Sequence, residues 1–112
     1  MLVREGPDRA RAWTPEGEYT LPADAARLLG EDHPFLDAAA RDLAALTRQP
    51  DAGDLVVCGW RAGAEALSFA QENGAHGGAA PHETAAFALL PGDVALHPAA
   101  GEPARALDLR RA

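Results

Sequence analysis

A mixed fold, α/β or α+β around one main sheet, is the architecture the sequence predicts. Three observations carry that prediction. Residues 1–21 hold short extended runs separated by strong turn formers. Residues 22–47 are rich in helix formers, with apolar side chains at three- and four-residue steps. After Gly53 come apolar runs of strand length, Asp54–Trp60, Leu67–Phe69 and Ala85–Leu90. A chain of 112 residues, 47% hydrophobic, can bury one modest core, so residues 1–112 are read as a single domain.

Leu2–Arg4 and Arg11–Trp13 are extended segments parted by Gly6-Pro7-Asp8, a turn signal. Thr14-Pro15-Glu16-Gly17 places Pro and Gly where a tight turn prefers them, and Glu18–Leu21 alternates polar with apolar residues. The region predicts a small antiparallel meander, with Trp13 and Tyr19 as packing anchors. Pro22 suits the first position of a helix that runs to Leu29 and stops at Gly30. A second helix is expected from Pro34 to about Thr47, with Asp32 as N-cap and Asp37 near the positive end of the helix dipole. Leu36, Ala39, Leu43 and Leu46 form its apolar face, with Arg41, Asp42 and Arg48 on the polar side.

Asp54–Trp60 is β-branched and continuously apolar, which predicts a strand buried on both faces. Leu67–Phe69 is a second strand candidate and Ala85–Leu90 a third apolar element, closed by Pro91-Gly92. Between them Pro81–Thr84 reads as a turn or a single helical turn. Alternation in Ala106–Arg110 allows a terminal edge strand.

Charge and composition exclude several functions. A net charge of −7 argues against a broad nucleic-acid surface, so no nucleic-acid partner is expected. No apolar run approaches the roughly 20 residues of a membrane span, so no membrane partner is expected either. The first residues lack the basic start and apolar core of a signal peptide, and a cytoplasmic location is the expectation. The lone Cys58 permits neither an internal disulfide nor a cysteine-cluster zinc site and is read as a packed small side chain. Neither a P-loop nor a dinucleotide Gly-x-Gly-x-x-Gly is present, and Ser68 has no nucleophile-elbow context.

The stretch with most chemical promise is Ser68–Gly78, in which His76 lies among Gly74, Gly77 and Gly78. Glycines let the backbone pass close to an ion, and an imidazole can ligate a metal through one nitrogen while the other is held by an acceptor. The same residue also suits a loop histidine bonded to backbone. Glu72 and Asn73 could orient His76 or touch a substrate. His82 and His97 are not at metal-site spacing from it, and zinc needs three or four ligands. Asp32-His33 is an apparent metal pair, but Pro34 follows it at once and helix capping explains both residues. Glu83 and Thr84 read as turn-capping residues, and no catalytic residue is identified.

Gly53-Asp-Leu-Val-Val57, Ser68-Phe69, Glu72-Asn-Gly-Ala-His-Gly-Gly78 and Pro81-His-Glu-Thr-Ala-Ala-Phe-Ala-Leu-Leu-Pro91 together resemble the C-terminal part of alkaline-phosphatase-superfamily enzymes, in the type I phosphodiesterase and nucleotide-pyrophosphatase branch. The likeness spans about Gly53 to Pro91. It implies a portion of a three-layer sheet to which the N-terminal meander and two helices are added. It implies His76 as ligand of one of two divalent ions, zinc or manganese, and a phosphoester small molecule as substrate. The family's Ser or Thr nucleophile and early metal-binding Asp have no counterpart here. The resemblance therefore implies the C-terminal portion of a larger catalytic domain, inactive alone and in need of an N-terminal catalytic portion. The alternative is a free-standing, non-catalytic α/β binding or interaction module. Exposure separates the two: a portion of a larger sheet leaves apolar strand faces open, and an independent module covers them.

Overall fold

The computed structural model describes residues 1–59, 63 and 78–111. Strands β1 (Leu2–Arg4), β2 (Ala10–Thr14) and β3 (Gly17–Leu21) form the expected antiparallel meander in the order β1-β2-β3. Its register sets Leu2 opposite Ala12, Ala12 opposite Tyr19, and Ala10 opposite Leu21. Because side chains alternate along a strand, these five residues share one face, and that face is the core side. Leu21 and Ala10 are wholly buried there.

Arg11, Trp13 and Glu18 take the opposite face. Arg11 pairs with Glu5 and, at 3.3 Å, with Glu18, and the hydrogen bond and charge of Glu5 chiefly hold its guanidinium above the ordinary pKa. Trp13 consequently is no core anchor; it lies half-buried on the outer face, its backbone bonded to Met1. Tyr19 does pack against the core, and Arg27 sits 5.0 Å from its ring centre. In the β2–β3 hairpin the Thr14 hydroxyl accepts the Glu16 N–H at 3.1 Å, and Gly17 takes φ +142°, which a side chain would strain.

Helix α1 (Ala25–Leu29) starts three residues later than Pro22 suggested. Thr20 and Asp24 explain the delay: the Asp24 N–H donates to the Thr20 carbonyl at 2.7 Å and the Thr20 N–H to the Asp24 carboxylate at 2.8 Å. That reciprocal pair closes a turn around Pro22, whose carbonyl accepts the Ala25 N–H. Gly30 ends the helix, as expected, at φ +95°.

Helix α2 (Leu36–Leu46) lies over the sheet. Its buried arc is turned toward Ala40 and Ala44, which are 0% and 2% exposed, while Leu46, an expected core residue, stands 42% exposed. Alanines at 39, 40 and 44 let the helix approach β3 and α1 closely, with Leu36 and Leu43 filling the flanks. Arg41 and Asp42 face solvent as the pattern required. Arg48 ties the end of α2 to the β1–β2 loop through Asp8 at 2.9 Å and the Pro7 carbonyl.

The expected strand Asp54–Trp60 is reduced to one antiparallel bridge on the free edge of β1. Leu2 donates to Val56 at 2.7 Å and Val56 to Leu2 at 3.0 Å. Val56 and Cys58 turn inward against the core, whereas Leu55 and Val57 are 57% and 82% exposed. The run is apolar on both faces, but only one face is covered among the described residues. Trp60 and the Leu67–Phe69 candidate lie outside them.

Pro81–Thr84 does form a single helical turn, α3, behind the buried pair Ala79 and Ala80. Ala85–Leu90 forms no strand; Phe87 and Leu89 are 96% and 94% exposed. The tail ends in helix α4 (Ala106–Arg111) instead of an edge strand. Asp108 reaches back to accept the Arg105 N–H at 2.9 Å, half of a capping box, and Asp at that position outweighs the apolar alternation. The architecture is thus a mixed α/β one, a small antiparallel sheet with α1 and α2 on its inner face. No helix among the described residues is long and apolar enough to cross a membrane.

Candidate functional site

His76, Glu72, Asn73 and Ser68 lie outside the described residues. The residues that bracket that stretch are described, and they converge. Cys58 and Gly59 on one side and Gly78 and Ala79 on the other line a cavity of about 370 Å³. Leu43 of α2 and Thr84 of α3 complete much of its wall. Thr84 closes α3 from within, its hydroxyl donating toward the Ala80 and Pro81 carbonyls at 3.2 and 3.0 Å. Both Thr84 and Glu83 are half-buried, and the capping role expected of Thr84 holds. A side-chain carbon at Gly78 would meet the Glu83 carboxylate, the far end of a flexible side chain.

The polar centre of this junction is His33, a residue assigned above only to capping. It is 6% exposed, and both ring nitrogens meet backbone. Its Nδ1 accepts the Phe35 N–H at 3.1 Å, and its Nε2 lies 2.7 Å from the Ala79 carbonyl oxygen. An N–H can only donate and a carbonyl can only accept, so the pair assigns the tautomer with the proton on Nε2. The imidazole thereby ends the α1–α2 turn with one nitrogen and holds the bend at residues 79–80 with the other. Local sequence explains the first bond: Pro34 has no N–H, which makes Phe35 the first donor available to a side chain at position 33.

Capping by Asp32 is thereby corrected. Asp32 is exposed, α2 begins after Phe35 with no side-chain cap, and the imidazole of His33 performs the acceptor role. With Nδ1 accepting and Nε2 carrying a proton, His33 has no ring lone pair to offer a metal ion. His82 and His97 are exposed and distant in sequence from one another. Among the described residues, no three His, Cys, Asp or Glu side chains come together in a way that could hold a metal ion. The one signal that could have revealed His33 in advance is the His-Pro step itself. Its partner, 46 positions away, left no local trace.

No family model matches the sequence, and no curated protein or solved structure shows detectable similarity to it.

Proposed function

We propose that this chain is the C-terminal portion of a metal-dependent phosphoester hydrolase, contributing His76 as a ligand and not the nucleophile. The observation that carries the reading is the run Glu72-Asn73-Gly-Ala-His76-Gly-Gly78 leading into the Pro81–Thr84 turn. Exposure supports it: Leu55, Val57, Phe87 and Leu89 are large apolar side chains standing open to solvent, which a three-layer sheet would bury. The resemblance leaves the family's nucleophile and early metal-binding Asp without counterparts, so on this reading a separate portion of the catalytic domain would supply them. In the complete enzyme two divalent ions, zinc or manganese, would stabilise charge on the transferring phosphoryl group. Glu72 and Asn73 would orient His76 or contact the phosphoester, and the chain alone would turn over no substrate.

A free-standing, non-catalytic binding module is the second reading, favoured by the core that β1–β3, α1 and α2 build with Val56, Cys58 and Ala79. One titration separates the two. Zinc is added to the isotopically labelled chain while the ring signals of His33, His76, His82 and His97 are followed by NMR. On the hydrolase reading His76 supplies one of the three or four ligands zinc needs, so in the chain alone it responds no earlier than His82 or His97. Tight zinc binding in the chain alone that His76→Ala abolishes would mean that enough ligands converge here, and would overturn the half-site reading in favour of a self-contained module.

A further inference from the structure

We infer that the C-terminal residues 99–111 form a strap whose closure over α2 is set by ionic strength. Adjacent residues of α2 carry opposite charges, Arg41 and Asp42, and both are exposed. The tail presents the opposite order, Glu102 and then Arg105. Arg41 donates to both carboxylate oxygens of Glu102 at 2.9 Å, and Arg105 pairs with Asp42. Plus-minus on the helix meets minus-plus on the tail, so sliding or reversing the tail would set like charges together. Between them lies a cavity of about 610 Å³ walled by Arg41, Asp42, Glu102, Arg105 and Asp108.

Apolar packing does not hold this strap. α4 buries none of its residues, and none of the core residues comes from positions 85–111. A helix of six residues is well below the roughly 12–15 needed for stability in isolation. Its persistence therefore depends on being seated. Arg105 links the two events: its guanidinium is held by Asp42, while its N–H is capped by Asp108 at 2.9 Å. Exposed ion pairs weaken as the Debye length contracts, from about 30 Å at 0.01 M salt to about 3 Å at 1 M. Closure and α4 should be lost together as salt rises, uncovering the Arg41–Asp42 face of α2.

The test is amide hydrogen exchange on the full chain at about 0.01 M and 1 M sodium chloride, read at Asp108 and Leu109, whose N–H groups bond to the Arg105 carbonyl. Two exposed pairs of ordinary strength predict about tenfold faster exchange at high salt. Arg41→Glu should produce a similar opening at low salt, and the double exchange Arg41→Glu with Glu102→Arg should restore protection. Exchange changing less than twofold with salt, or a double exchange that fails to restore it, overturns the strap. An equal loss of protection at Ala12 and Tyr19 also overturns it, because the whole chain would then be loosening.

Discussion

Replacing His33 with alanine is expected to lower the unfolding free energy by about 2–5 kcal/mol. The change leaves the buried Ala79 carbonyl and the part-buried Phe35 N–H without their imidazole partners; a fully buried unpaired group costs about 1–3 kcal/mol, and the cavity left by the ring adds to it. Two conservative substitutions divide the effect by geometry. In His33→Asn the amide oxygen lies where Nδ1 was, close enough to its own backbone to accept the Phe35 N–H, but the side chain is too short for Ala79. In His33→Gln the amide nitrogen reaches toward the Nε2 position and can donate to Ala79, at the expense of the turn. Each should recover part of the loss. Urea unfolding of the four proteins measures it, with a shift in midpoint at constant slope as the signature of a stability change. An alanine variant within 0.5 kcal/mol of wild type would mean that the two bonds carry no net weight. Histidine ring spectra provide a separate check, since the wild-type ring must carry its proton on Nε2.

The parts of this fold that were legible in sequence are those governed by neighbours. The meander followed from Gly6-Pro7 and Thr14-Pro15-Glu16-Gly17, the end of α1 from Gly30, and the α3 turn from Pro81. Where a specific side-chain bond decides, local pattern misled. Pro22 suits a helix start, but the Thr20–Asp24 pair four residues apart overrides it; Asp32 suits a cap, but His33 is positioned by Ala79, far along the chain. The face of α2 was read from leucines, yet the close approach of a helix to a sheet is governed by its alanines, and Leu46 was left outside. The apolar runs at 54–60 and 85–90 show a different failure. Their composition states how much cover a strand needs and says nothing of whether that cover is present. The His76 motif was legible in sequence and lies outside the described residues. The bond between His33 and Ala79 was not legible, because a single long-range hydrogen bond has no period.

Leu21→Ala should cost about 3 kcal/mol, and Phe87→Ser less than about 0.5 kcal/mol, although phenylalanine is the larger side chain. Leu21 is 0% exposed on the inner face of β3, surrounded by Ala10, α1 and α2, so truncation opens a cavity that the small alanines around it cannot fill by rotating. Phe87 is 96% exposed and removes almost no apolar area from water, which leaves its ring nothing to lose in this chain. The pair of values bears on function as well as stability. If the segment around Phe87 belongs to a sheet completed by another portion of a catalytic domain, its substitution is silent here and costs stability only when that portion is present. A loss above about 1.5 kcal/mol for Phe87→Ser in the chain by itself would mean that residues 85–90 are already covered in solution. The open faces at Leu55, Val57 and Leu89 would then cease to support a larger sheet, and the free-standing module would become the better reading. Thermal or urea unfolding of the two variants at one protein concentration decides between these outcomes, and repeating it at tenfold higher concentration identifies any cover supplied by a second copy.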